Sequence, residues 1–267
     1  DSALAVSSIA FELDDWITDQ YDLPGNAVVP ANDMSPESAA MYIRVQWGIG
    51  LRPIGNMVNL LEAKGVRVFS LSEETRHLDA YSFWRNDRAY VFLNTLKTSE
   101  RSRFDAAHEL GHLVMHQHSG SSHPNAEREA DAFASAFLMP KDDVLSEIGW
   151  INSLEDLVRY KKRWGVSAAA LAYRLHKMNR ISDWHYRGYC IELGKIGRNV
   201  EPAPMPRETS LVWNKVLTDL WRQGVPLSRI ARQMHVPESE LSSLLFGITA
   251  EPSSHPVRSD SKFISVH

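Results

Sequence analysis

Apolar residues recur at helical spacing along most of the chain and alternate only in one central stretch. Ile9, Leu13, Trp16 and Ile17 predict a helix over residues 7–21, and Pro24, Gly25 and Pro30 make residues 22–33 a connector. A second helix follows Pro36 on Ala39, Ala40, Ile43 and Trp47 and ends at Gly48 and Gly50. A third runs from Pro53 through Met57, Leu60 and Leu61 and stops at Gly65. The period then drops to two, predicting strands at 66–71, 80–84 and 89–94, with Asn86-Asp87 as the turn of a hairpin. Helical spacing returns from about Glu100 to His116, and again from Asn125 to Leu138, where Met139-Pro140 stops it. Residues 117–125 form a Ser-, Gly-, His- and Pro-rich loop between these two. Ser153, followed by an acidic first turn, opens a helix that ends near Gly165, and Ser167 opens the next, through Leu171 and Leu175 to Met178. Residues 194–208 are rich in Gly and Pro and read as a linker. Helical patterns follow at 209–223 and 226–247, then a Pro- and Ser-rich tail over 251–267. The predicted fold class is α+β: mostly helical, with a small three-stranded sheet and a C-terminal helical module.

Composition narrows the class. The chain has 267 residues, 43% of them hydrophobic, enough for a substantial core and too many for a disordered protein. No run of 18 apolar residues occurs, so no membrane-spanning helix is expected, and the N-terminal residues show no signal peptide. Cys190 is the single cysteine, which excludes an internal disulfide framework and a cysteine-based zinc site and makes the cytoplasm the expected location. The net charge of −4 hides a split of −10 over residues 1–150 and +6 over 151–267. Two parts with different partners, or a mosaic of solvated faces, both account for that asymmetry.

The sharpest chemical signal is His108-Glu109-Leu110-Gly111-His112. On a helix, residues i and i+4 share a face, so both imidazoles can reach one ion, while Glu109 can hold a water beside it. With 11 His and 17 Glu in the chain, this pattern arises by chance about 0.03 times per chain. A catalytic zinc of this type needs a third protein ligand and an open position. Glu127 and Asp131 lie on one face of the next helix, so one carboxylate can ligate while the other orients a histidine. Glu129 competes as ligand but points about 200° away from Glu127, which favours a solvated surface charge there. His116 continues the His108–His112 face as an outer-shell or oxyanion group, or as a helix-end histidine held by the dipole. An all-histidine site drawing on His116, His118 or His123 is a further alternative. Asn94 is a candidate for holding substrate backbone or for forming a turn. The strand before it is a candidate sheet edge to which an extended substrate would add. Tyr81 and Tyr90 are candidate oxyanion donors or sheet aromatics.

Taken together, Arg103-Phe-Asp-Ala-Ala-His108-Glu-Leu-Gly-His112-Leu-Val-Met-His116, Glu127-Arg-Glu-Ala-Asp-Ala-Phe-Ala134 and Phe137-Leu-Met-Pro140 resemble the ImmA/IrrE family of bacterial and phage metallopeptidases. The likeness extends upstream to Val91-Phe-Leu-Asn94 and downstream to Leu157–Ser167 and Ala170–Leu175, over roughly residues 40–200. It implies a minimal zincin domain at 36–193, preceded by a helix and connector at 1–35. It also implies His108, His112 and Glu127 as ligands of Zn2+, with Mn2+ as the alternative ion, and Glu109 as general base. The implied substrates are DNA-binding repressors or antitoxins cleaved in stress response or mobile-element regulation. Relatives often carry an N-terminal helix-turn-helix, and this chain, which does not begin with Met, is read as the remainder of a longer protein.

Near the C-terminus, within the module at 209–250, Leu227–Leu245 reads as helix, turn, helix on Ile230, Ala231, Met234, Val236, Leu241 and Leu244, with Ser228 as cap. Its second helix is acidic and holds no Lys or Arg, which favours a structural or partner-binding role over DNA reading. The pair at 154–178 carries Arg159, Lys161, Lys162, Arg163, Arg174 and Lys177 and is the better candidate for a phosphate-facing surface, or else a packed wall of the peptidase. The rival to a peptidase is therefore a non-catalytic DNA-binding or toxin–antitoxin regulator.

Overall fold

The structure, a computed structural model, describes residues 2–71, 80–117, 125–197 and 199–249. His118, His123 and the tail lie outside the described residues. In chain order the elements are α1 (Ser2–Thr18), α2 (Pro36–Gln46), α3 (Met57–Ala63), β1 (Arg67–Ser70), β2 (Ala80–Arg85), β3 (Arg88–Leu93), α4 (Ser99–Met115), α5 (Ala126–Leu138), α6 (Lys141–Glu147), α7 (Leu154–Trp164), α8 (Ala168–Lys177), α9 (Asp183–Ile196), α10 (Leu211–Arg222), α11 (Leu227–Met234) and α12 (Glu238–Phe246). They form two compact units, one from residues 29–57 and 97–207, the other from 1–28, 58–96 and 208–267. The architecture is α+β as predicted. No helix among the described residues is long and apolar enough to cross a membrane.

The first unit is helical. Its helices begin where a hydroxyl covers the open amides: Ser35, Thr98, Ser153, Ser167 and Ser182 each accept from a backbone N–H in the first turn of α2, α4, α7, α8 and α9. Gly165 closes α7 in the left-handed conformation, as the sequence suggests. At the centre, α4 and α5 pack on each other and on α2. At Gly111 the two helices lie close: a methyl placed there would be 3.2 Å from the Cα of Ala130 and 3.1 Å from the ring of Phe133. Buried Arg44 on α2 donates to the carbonyls of Gly50, Arg52 and Phe137, so it satisfies an open carbonyl at the end of α5. Arg103 on α4 donates to the carbonyls of Ile54 and Gly55, and the third helix starts at Met57 rather than at Pro53.

The basic residues of α7 and α8 are largely neutralised inside the unit. Buried Lys161 sits 2.9 Å from both Glu100 and Glu201. Arg163 pairs with Asp143 at 2.7 Å, and Arg174 with Glu37. Glu100 also accepts from the Met205 amide and Glu201 from the Ala168 amide, so the stretch after α9 is tied to the starts of α4 and α8. Of the two sequence alternatives for 154–178, the packed wall accounts for these contacts. Two helices had no distinct sequence pattern: α6 has seven residues, and α9 buries only Tyr189 and leaves Trp184 exposed.

The second unit carries the sheet, in the order β1-β3-β2. β1 runs parallel to β3, with Val68 opposite Val91, and β2 runs antiparallel, with Ser82 opposite Val91. β3 is therefore the central strand, not the edge that the sequence suggested. Both its sides are already hydrogen-bonded, so no substrate strand can add to it. Asn86 and Asp87 both have positive φ, at 49° and 60°, and form the tight hairpin turn expected of that pair. α12 packs on β1 and α1, burying Leu241, Leu244 and Leu245. Trp213 of α10 donates its indole N–H to the Val68 carbonyl of β1. The N-terminal helix spans Ser2–Thr18 rather than 7–21, and Tyr21 beyond it is buried with its hydroxyl on Asp219.

Candidate metal centre

α4 and α5 supply every residue of the centre. His108 and His112 fall one turn apart on α4, and their Nε2 atoms stand 3.0 Å from each other. Glu127, in the first turn of α5, places one carboxylate oxygen 3.3 Å from His108 Nε2 and the other 3.4 Å from His112 Nε2. These three residues form the group of donors close enough for one ion among the described residues. Bonds of 2.0–2.2 Å in a tetrahedral site put donors about 3.4 Å apart, so the observed spacings fit zinc and its preference for nitrogen and carboxylate oxygen. The imidazoles are mostly covered whereas Glu127 is exposed, which leaves the ion position open on one side.

The far nitrogens are engaged as well. His108 Nδ1 lies 2.9 Å from Asp131, one turn beyond Glu127 on α5. Asp131 is an acceptor, so His108 carries its proton on Nδ1 and turns the Nε2 lone pair toward the site. His112 Nδ1 lies 3.2 Å from His116 Nδ1, and His116 Nε2 lies 3.0 Å from Glu129. Glu129 is thus neither a third donor nor a bare surface charge; it faces His116. No sequence signal had singled out that contact, because Glu129 points away from Glu127 and meets a histidine at the other end of the α4 face.

Electrostatics separate the two imidazoles. Burial lowers the His108 pKa, but the hydrogen bond to Asp131 and the charges of Glu109, Asp131 and Glu127 outweigh it, and the net shift is upward. His112 is pushed down to about 4 by burial and by His108 beside it. Beyond the one ring proton that each neutral imidazole carries, a pair this close takes up a single further proton before repulsion opposes the next. Glu109 is buried on the same helix, near enough for its charge to act on His108.

The other candidates lie in the second unit. Asn94 is buried after β3 and accepts from the Leu96 amide, an Asx turn. The Tyr90 hydroxyl donates to buried Asp14 at 2.6 Å, and burial together with that carboxylate pushes its pKa up to about 12. Tyr81 meets Ser7 at 3.2 Å. Both hydroxyls thus have partners inside the sheet unit.

Residues 61–176 match the family model of the IrrE N-terminal-like domain, Peptidase_M78. Over these residues, somewhat less than half of the chain, the protein is similar to that domain. The matched stretch holds His108, Glu109, His112, Glu127, Glu129 and Asp131. A metallopeptidase family implies a divalent metal and a protein substrate, and the ImmA/IrrE match and the converging donors point to the same helices. A search of curated proteins found no match.

Proposed function

We propose that this protein is a zinc-dependent endopeptidase that cleaves a DNA-binding repressor or antitoxin in the cytoplasm, within stress response or mobile-element regulation. The single observation that carries the reading is the convergence of His108 Nε2, His112 Nε2 and the Glu127 carboxylate at 3.0–3.4 Å. His108, His112 and Glu127 would hold the ion, and Mn2+ is the alternative occupant. Zinc at such a site activates a water and polarises a peptide carbonyl. Glu109 takes the proton and passes it to the leaving amine. Asp131 keeps His108 in the ligating tautomer. Asn94, the residue after β3, is assigned to substrate backbone.

The test is incubation with the repressor encoded beside this gene, with and without chelator. Chelator-sensitive cleavage is expected. Metal analysis accompanies it: His112→Ala loses zinc and Glu109→Ala keeps it. Equal metal in both variants and the parent overturns the reading. The rival, a non-catalytic DNA-binding regulator, predicts a steep salt dependence of DNA binding without cleavage. It is supported less, since Lys161, Arg163 and Arg174 are already paired with carboxylates.

A further inference from the structure

We infer that Glu129 and His116 are positioning residues that act in series on His112, fixing the nitrogen it offers to a metal. The inference rests on the zinc reading above and extends it to Glu129.

The argument is one of donors and acceptors. An ionised carboxylate can only accept, so the nitrogen of neutral His116 that faces Glu129 at 3.0 Å, Nε2, must carry the proton. His116 Nδ1 is then a bare acceptor. It faces His112 Nδ1 at 3.2 Å, so His112 must place its own proton there. The remaining nitrogen of His112, Nε2, is left with its lone pair pointing at His108 Nε2 and Glu127. With Glu129 charged and His116 a neutral imidazole, each step has one solution. Rotation is restricted too, because His116 is buried and bridges the two helices.

His108 receives the same instruction directly from Asp131, whereas His112 receives it through one intervening ring. The three carboxylates of Glu127, Glu129 and Asp131 therefore divide the work. One faces the ion position, and one stands behind each imidazole. Outer partners of a ligating histidine typically contribute 10–100-fold in metal affinity.

The test is the zinc affinity of the full chain, measured by competition with a chromophoric chelator, with the melting of the metal-free forms as a control for folding. His116→Ala and Glu129→Ala should each weaken zinc binding by about 10–100-fold. The double variant should be no weaker than His116→Ala alone, because Glu129 acts only through His116. His116→Asn, whose amide oxygen can take the place of Nδ1 as acceptor, should bind like the parent, and adding Glu129→Ala to it should change nothing. Additive losses, or parental affinity in both alanine variants, overturn the relay. Parental affinity in those variants together with loss in His112→Ala leaves the zinc site standing without it. A parent that binds no zinc removes both.

Discussion

Gly111 of α4 lies directly against the backbone of Ala130 on α5, and the two helices that meet there carry the whole candidate centre. A methyl at Gly111 would sit 3.2 Å from the Ala130 Cα, a contact relieved by a shift of a few tenths of an ångström between α4 and α5. Such a shift moves Glu127 relative to the imidazoles. Gly111→Ala gains roughly 1 kcal/mol of helix propensity, so stability alone hides the damage. The expected outcome is a metal-free melting temperature close to the parent's with zinc affinity lowered about tenfold, or ~1.4 kcal/mol. Calorimetric titration with zinc checks it.

Asp131→Ala leaves His108 Nδ1 without its acceptor and frees the ring to change tautomer. Zinc affinity should fall by about 10–100-fold. Glu109→Gln, by contrast, should keep the metal and lose hydrolysis by about 10²–10⁴-fold. Metal content and cleavage rate, measured on both variants, separate the two roles.

Arg44 is fully buried, and burial, partly offset by Asp143, lowers its pKa to about 10, so it stays charged at neutral pH. Arg44→Met withdraws donors from the carbonyls of Gly50, Arg52 and Phe137. At ~1–3 kcal/mol for each carbonyl left unsatisfied, the variant should lose ~3 kcal/mol or more of stability. Denaturant unfolding reads this directly, and a loss under ~1 kcal/mol would show that water replaces the guanidinium.

Glu62 is buried beneath the start of α10, where it accepts from Ser210 and from the amides of Leu211 and Val212. Burial pushes its pKa up from 4.5 to about 7 despite those bonds and the charge of Arg67. The folded state therefore binds this proton more tightly than the unfolded chain does. The resulting stability is fully present below pH 4.5 and is lost as pH rises through about 7. Across that window the contribution is on the order of 3 kcal/mol. Unfolding of the parent and of Glu62→Gln at pH 5 and pH 8 should differ in slope, with the variant flatter.

Much of the centre was legible because it is built from local spacings. His108 and His112 share a face through the helix repeat alone, and Glu127 and Asp131 do the same on the next helix. The Glu129–His116 contact was not legible, because it depends on how α5 is rotated against α4, which no single-helix pattern encodes. The sheet shows a similar limit. Alternation located all three strands but not their order, although the unbroken apolar run Ala89–Leu93 is itself the signature of a central strand, buried on both faces. Charge counting flagged the basic helices without showing that Lys161 is buried between two carboxylates, since pairing is a property of the assembled unit.

The donors at 108, 112 and 127 lie on two successive helices. Contacts so near in sequence form with little loop-closure cost. An ion bound there stabilises the closed α4–α5 hairpin over the open one, so metal and hairpin form as one linked event.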